Sequence, residues 1–314
     1  MSIVAIDLGG TKVASALFTD SGTLLNRSST LISGRQGHQV GQLIIDQIVQ
    51  YIDKANADIQ SIGISVPGIS RSKSGTVWAP NIPGWEDYPL LEEIKRQIPG
   101  IPVYIDSDRA CCILGEVWQG NAKGIDDAIF ITVGTGIGAG IIMNSQIIRG
   151  AHDIAGAIGW MALEKPFDTK YTACGNFEYY ASGEGIARLA KEMMNKSLEY
   201  QGVLSRNDVK AHDVFDAFNL NDPIAISVIH FCIQYWGMAA ANLVSVFNPE
   251  KIIFGGGVFG PAIPFIGDIK KEAAQWAQPI SMAQVRFESS ALSADAALYG
   301  AAYLTLKNNP IRVF

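Results

Sequence analysis

The sequence predicts a two-domain α/β protein. A strand–turn–strand pattern occurs twice in it, and each copy is followed by short apolar strands alternating with amphipathic helices. The length of 314 residues (33.8 kDa) is more than one hydrophobic core ordinarily organises.

The first copy runs from Ile3 to Phe18 through Asp7-Leu8-Gly9-Gly10-Thr11-Lys12 and turns again at Asp20-Ser21-Gly22. The second runs from Ala128 to Met143 through Gly134-Thr135-Gly136-Ile137-Gly138 and turns at Asn144-Ser145. In both, an apolar run enters a Gly/Thr turn and leaves as another apolar run, the pattern of a hairpin. Two such hairpins facing each other would aim backbone N–H groups and threonine hydroxyls into one cleft, which suits a nucleotide polyphosphate. Glycines that only permit tight turns explain one hairpin equally well. The repetition, with Asp7 in one copy and Thr135 in the other, favours phosphate handling. Gly134, Gly136 and Gly138 lack the following helix of a dinucleotide fingerprint, and Gly9-Gly10-Thr11-Lys12 lacks P-loop spacing.

Between the hairpins, Val40 to Ala55 has helical periodicity, with Leu43, Ile44, Ile48, Tyr51 and Ile52 on one face. A buried strand at Ser61 to Val66 ends at Pro67-Gly68, and a loop rich in Pro, Gly and Trp spans Val77 to Trp85. Leu90 to Gln97 reads as a helix, Pro102 to Ile105 as a strand, and Arg109 to Trp118 as a helix. Beyond the second hairpin, Tyr171 to Ser182 reads as irregular and Glu184 to Asn195 as helical. A long buried helix covers Ile224 to Phe247 and is closed by Asn248-Pro249; its Tyr235, Trp236 and Met238 suit either core or interface. The strand Lys251 to Phe254, the turn Gly255-Gly256-Gly257, a helix over Ile263 to Gln275 and a small-residue helix over Ala294 to Leu306 complete the chain. The expected division is 1–115 with 292–314 as a smaller N-terminal domain and 116–291 as a larger C-terminal one.

Hydrophobic content of 48% against 17% charged residues indicates an ordered globular chain. A net charge of −6 and a pI near 5.3 argue against a nucleic-acid partner. No targeting segment is read ahead of the first strand, and no apolar run is read as long enough to span a membrane. Cys111, Cys112, Cys174 and Cys232 have no framework-like spacing, so a reducing cytoplasm is expected.

The ordered set Asp7-Leu8-Gly9-Gly10-Thr11-Lys12, Val66-Pro67-Gly68, Ala79-Pro80-Asn81-Ile82-Pro83-Gly84-Trp85, Asp108 with Leu114-Gly115-Glu116, Gly134 to Gly138, Gly255-Gly256-Gly257 and Ala297 to Ala302 resembles the ROK family of sugar kinases and regulators. The resemblance spans almost the full chain. It implies the actin-like (RNase H-like) two-domain ATPase fold with a nucleotide cleft between domains, ATP and Mg²⁺ as cofactors, a sugar acceptor and a homodimer. Phosphoryl transfer to a hydroxyl needs a base beside the nucleophile, and Asp108 stands at the family's base position. Read by itself, Asp108 serves equally as an N-cap of the next helix. The resemblance further implies that Asp7 holds Mg²⁺ through water. Gly9, Gly10, Thr11, Lys12, Gly134, Thr135 and Gly136 would meet the phosphates, and Gly256 and Gly257 would admit the adenosine. Lys12 also reads as a solvated charge, and Gly257 as a helix-entry turn.

The acceptor side departs from the family pattern. The implied contacts are Pro67, Gly68, Asn81, Ser107, Asp108, Ala157, Trp160 and Glu178. The family has Asn where Ser107 stands, and Gly-Glu-Ile-Gly-His where this chain has Gly156-Ala157-Ile158-Gly159-Trp160. Its zinc motif is shortened to Cys174-Gly175-Asn176-Phe177-Glu178, so no zinc site is expected. Trp160 either offers an apolar face to a non-glucose acceptor or fills the space of the missing zinc lobe. The expected activity is ATP-dependent phosphorylation of a sugar-like hydroxyl, with a non-catalytic sugar-binding regulator as the alternative.

Overall fold

The computed structural model describes residues 2–55, 59–197, 200–205 and 208–308. The first hairpin is β1 (Ser2–Leu8) and β2 (Lys12–Thr19), and β3 (Leu24–Leu31) pairs antiparallel with β2. Helix α1 (His38–Ala55) leads to β4 (Ile59–Val66), and a small ribbon follows from β5 (Ile69–Ser70) and β6 (Val77–Trp78). Helix α2 (Leu90–Gln97), strand β7 (Val103–Ser107) and helix α3 (Asp108–Gln119) come next. The sheet order is β3-β2-β1-β4-β7, with β4 parallel to both β1 and β7.

The same plan recurs. The second hairpin, β8 (Ala128–Val133) and β9 (Ile137–Met143), is extended by β10 (Gln146–Ile147). Both turn residues between β9 and β10, Asn144 and Ser145, have left-handed φ (49° and 59°), the geometry of a tight two-residue hairpin. Helices α4 (Asn176–Ala181), α5 (Gly183–Lys196), α6 (Ala211–Asn219) and α7 (Pro223–Phe247) precede β11 (Lys251–Gly255). Then follow α8 (Ile266–Trp276), α9 (Pro279–Gln284), β12 (Arg286–Ser289) and α10 (Ala296–Asn308). This sheet runs β10-β9-β8-β11-β12, with β11 parallel to β8 and β12.

Two compact units divide the chain: Met1–Gly124 with Ile147–Ala155 and Asp295–Phe314, and Ile125–Gln146 with Gly156–Ala294. The boundary expected after residue 115 falls later because α3 runs on to Gln119, whose side-chain amide donates to Ser21 O at 2.8 Å. Segment 147–155 joins the first unit although no compositional break marks it. Residues 309–314 of the expected N-terminal domain lie outside the described residues.

In the first unit, alternate residues of β1 face opposite layers. Val4, Ile6 and Leu8 pack with α1 and α2, while Ile3 and Ala5 pack with residues of α3 and α10. Helices α3 and α10 cross closely because small residues meet there. A Cβ on Gly300 would lie 1.7 Å from Cys111 O, and one on Gly115 2.2 Å from Ala296 O. On β4, a Cβ on Gly63 would lie 1.8 Å from Ala301 O.

The core of the second unit forms around α7. Asp222 caps it by accepting the amides of Ile224 and Ala225 at 3.0 and 3.1 Å, and Asn248 (φ 48°) ends it. The expectation that no apolar run reaches membrane-spanning length does not hold here. Helix α7 has 25 residues and contains an 18-residue stretch of mean hydropathy 1.5, 61% of which is buried in the protein. Helices α4, α5, α6, α8 and α9 pack against its apolar faces, while Ser227, His230, Gln234, Asn242 and Ser245 form an exposed polar stripe. Tyr235 and Trp236 are core residues, at 3% and 1% exposure. The stretch expected to be irregular, Tyr171 to Ser182, contains α4, which starts after the left-handed Gly175 (φ 83°).

Candidate active site

Asp7 lies near the end of β1, opposite Ser65 on β4. Ser65 Oγ donates to Asp7 Oδ1 at 2.7 Å. Burial pushes the Asp7 carboxyl up to about 6; the Ser65 hydrogen bond opposes the shift, Asp108 adds to it, Lys12 opposes it and Asp295 adds to it. Past β1 the chain tightens into the turn, where Gly9 N donates to Lys12 O at 2.9 Å. Gly10, Thr11 and Lys12 are exposed.

Asp108 opens α3 directly after β7. The N-cap is Ser107, whose hydroxyl accepts from Ala110 N at 3.4 Å, so capping falls to Ser107 and not to Asp108. The Asp108 carboxylate accepts from the Arg109 amide at 2.8 Å. Burial raises its pKa, while the Arg109 guanidinium and amide hold it down. Arg109 Nη2 in turn donates to Gly68 O at 3.0 Å, tying the Pro67-Gly68 turn to the start of α3. Gly68 has φ 80°, and a Cβ there would lie 2.1 Å from Trp78 O.

Asn81 projects from a loop closed by Ala79 N to Trp85 O at 2.7 Å. Trp85 anchors that loop: it is fully buried, stacks on Tyr88 at 4.4 Å and donates to Gly37 O at 3.0 Å. Asn81 Nδ2 lies 3.2 Å from the place a Cβ on Gly10 would take. Gly10, Thr11 and Asn81 line a cavity of ≈ 280 Å³ with residues 32–36.

In the second unit, Gly134 N donates to Gly136 O at 2.9 Å, and Gly183 N donates to Gly134 O at 2.7 Å. Thr135 is exposed at the tip of this turn. Glu178, on α4, accepts the amide of Ile137 at 2.6 Å. A Cβ on Gly136 would lie 2.8 Å from Glu178 Oε2, and one on Gly159 2.9 Å from it, so two glycines admit this carboxylate. Burial raises its pKa, with the Ile137 amide opposing. Ala157 is half-buried before a short 3₁₀ turn, Ile158–Trp160. Trp160 is 57% exposed and lines a cavity of ≈ 470 Å³ whose lining includes neither Ala157 nor Glu178. Gly256 (φ 87°) follows β11, where a Cβ would lie 2.5 Å from Val133 O; Gly257 has open space beside it.

The expected residues thus form two groups. Asp7, Gly9 to Lys12, Pro67, Gly68, Asn81, Ser107 and Asp108 belong to the first unit; Gly134, Thr135, Gly136, Ala157, Trp160, Glu178, Gly256 and Gly257 belong to the second. Among the described residues no three His, Cys, Asp or Glu side chains come together as a metal site. The four cysteines form no disulfide.

Several supporting residues escaped the sequence reading. Ser65 carries a usable signal, since it is a polar residue near the end of an apolar strand that lies parallel to β1. Arg109 and Gly159 became visible only through their contacts. Asp106, 5% exposed, accepts from Arg149 Nε at 3.0 Å across 43 positions of sequence, with no local signal at either end.

The chain is similar to a glucokinase of Halalkalibacterium halodurans, at 33% identity over 96% of this chain and 94% of that protein. A xylose repressor of Caldicellulosiruptor bescii is 31% identical over 81% of this chain and 65% of its own length. The crystal structure of a ROK family glucokinase from Streptomyces griseus in complex with glucose and AMPPNP matches with a TM-score of 0.80 and 27% identity, over 98% of this chain and 100% of that one. The fold is the two-domain actin-like ATPase fold. A profile of the ROK family matches residues 3–308, and the chain belongs to that family.

Proposed function

We propose that this protein is an ATP-dependent carbohydrate kinase that phosphorylates a hydroxyl of a monosaccharide or sugar-like acceptor, with Asp108 as general base. The observation that carries this reading is that Asp108 is spared from capping α3. Its buried carboxylate stands within the electrostatic reach of Asp7, and its pKa is raised, as a proton acceptor requires. In this reading Asp108 draws the proton from the acceptor hydroxyl as its oxygen attacks the γ-phosphate in line. The Arg109 amide, donating to Asp108 Oδ1 at 2.8 Å, orients the carboxylate.

Asp7 fits a magnesium site. It is an oxygen donor in a cluster of excess negative charge, with Asp108 and Asp295 both raising its pKa. Bound Mg²⁺ would supply charge neutralisation to the phosphates. Thr11, Lys12 and the Gly134-Thr135-Gly136 turn would offer hydroxyl, ammonium and amide donors, and Gly256 and Gly257 would leave room for the nucleoside.

The acceptor differs from glucose in this reading, because Ala157 and Trp160 stand where the family has Glu and His. A site that loses two polar partners changes which hydroxyl pattern it accepts. Asn81 and Glu178 are the polar groups retained. Coupled ADP release against monosaccharides, amino sugars, anhydrosugars and cyclitols tests this, with Asp108→Asn as control. Acceptor-dependent turnover that the variant loses supports the kinase; glucose ranking first by kcat/KM would refute the altered specificity. A non-catalytic sugar-binding regulator is the second reading, motivated by the same two replacements and by the similarity to a xylose repressor. ATP binding without turnover on any acceptor would favour it.

A further inference from the structure

The second unit holds a cavity lined by neither Ala157 nor Glu178. Its volume of ≈ 470 Å³ falls in the usual span of small-ligand sites, roughly 300–1,000 Å³. Three aromatic residues wall it: Trp160, Phe167 (73% exposed) and the buried Tyr171. Phe167 and Tyr171 meet edge to face at 6.3 Å. At the polar end, Glu164 accepts from the Tyr171 hydroxyl at 3.1 Å. Asn176 is 5% exposed, and its Oδ1 accepts the Leu163 amide at 2.9 Å. Neither its Nδ2 nor the neighbouring Tyr235 hydroxyl has a partner in good hydrogen-bond geometry, although Tyr235 lies close enough to Glu164 and Asn176 for both to act on its titration. A buried donor left this way is costly unless something else accepts from it.

The chemistry of the walls selects the ligand. Glu164 and Lys165 bring opposite charges, which favours a neutral molecule. Exposed aromatic faces suit the C–H face of a sugar ring, while hydroxyls can accept from Asn176 and donate to Glu164. We propose that this cavity is a second saccharide site, distinct from the acceptor site, and that Glu178 senses its occupancy. Only a thin backbone layer separates the two. A Cβ on Gly175 would lie 2.4 Å from both Gly159 O and Trp160 Cα, and one on Gly159 would lie 2.9 Å from Glu178 Oε2. A ring seated on Trp160 bears on this layer, and through it on the carboxylate that holds Ile137 N. The binding half stands independently of the kinase reading; the sensing half rests on it.

Equilibrium dialysis with cellobiose as the probe tests the binding half, using wild type, Ala162→Trp, Phe167→Ala and Asn81→Ala. Positions 162 and 167 line the cavity from exposed places, so both variants are expected to fold, and thermal melting verifies it. The expected result is that Ala162→Trp and Phe167→Ala weaken cellobiose at least about tenfold while Asn81→Ala leaves it unchanged. Loss confined to Asn81→Ala, no cellobiose binding, or phenol binding in its place would overturn the proposal. For the sensing half, cellobiose should shift the acceptor KM in wild type and not in Ala162→Trp; bound cellobiose with an unmoved KM would overturn it. An absence of kinase activity altogether leaves the dialysis result to stand or fall by itself.

Discussion

Ser65 Oγ donates to Asp7 at 2.7 Å, across the parallel register of β4 and β1. That single hydrogen bond opposes a burial strong enough to raise the Asp7 pKa from 3.8 to about 6. The folded protein therefore keeps the Asp7 proton to a higher pH than the unfolded chain does. Stability from this group is present below about 3.8, falls as pH rises towards about 6, and stays lost above that.

Asp7→Asn should accordingly raise the melting temperature of the metal-free protein at neutral pH while removing magnesium-dependent turnover. Denaturant titrations on either side of pH 6 check the first part, because the gain should shrink on the acid side. Equal gains at both pH values would mean that desolvation of the carboxylate is not the cause. Ser65→Ala should push the Asp7 pKa higher still, so that activity is lost at a less acidic pH than in wild type.

Asp108→Asn should cost about 10²–10⁴-fold in kcat with ATP binding nearly unchanged. Because Ser107 is the cap, the variant should melt close to wild type, whereas Ser107→Ala should lose about 0.5–2 kcal/mol. Steady-state kinetics, nucleotide titration and denaturant midpoints on both variants separate the two roles. A large stability loss in Asp108→Asn would show a structural duty instead.

Gly159→Ala should disturb the acceptor more than the nucleotide. Its Cβ would lie 2.9 Å from both Cβ and Oε2 of Glu178 and 3.0 Å from Ile137 O. Displacing Glu178 leaves the Ile137 amide without its acceptor, at a cost of about 1–3 kcal/mol. The acceptor KM should rise severalfold while the ATP KM changes less; equal rises would place the effect elsewhere.

Gly300→Ala should destabilise the first unit, since its Cβ would press on the backbone oxygen of Cys111 at 1.7 Å and the two helices must separate. Overpacking of this kind costs about 1–3 kcal/mol. Urea unfolding should show the loss, and turnover should fall because α3 carries Asp108.

Local chemistry made part of this molecule readable in advance. The hairpin turns, the Pro67-Gly68 turn and the span of α2 follow from residues adjacent in sequence, and α2 runs Leu90–Gln97 as expected. Helix α7 was legible from its apolar run beginning at Ile224 and its close at Asn248-Pro249, although it starts one residue earlier, at Pro223. Strand β12 was not read, because its four residues owe their conformation to pairing with β11. Asp106 and Arg149, or Glu178 against Gly159, meet only once the chain has folded. That Trp160 lines a cavity whose walls do not include Glu178 was likewise visible only in the folded chain.

The close crossing of α3 and α10 also sets an order of assembly. Most of the second unit is encoded between them, so α3, made early, waits for a partner that is made only after it. The helix bearing Asp108 therefore docks fully only once α10 has also been made. A chain that stops before Asp295 would keep every residue proposed for catalysis and yet lack the brace that holds Asp108 in place.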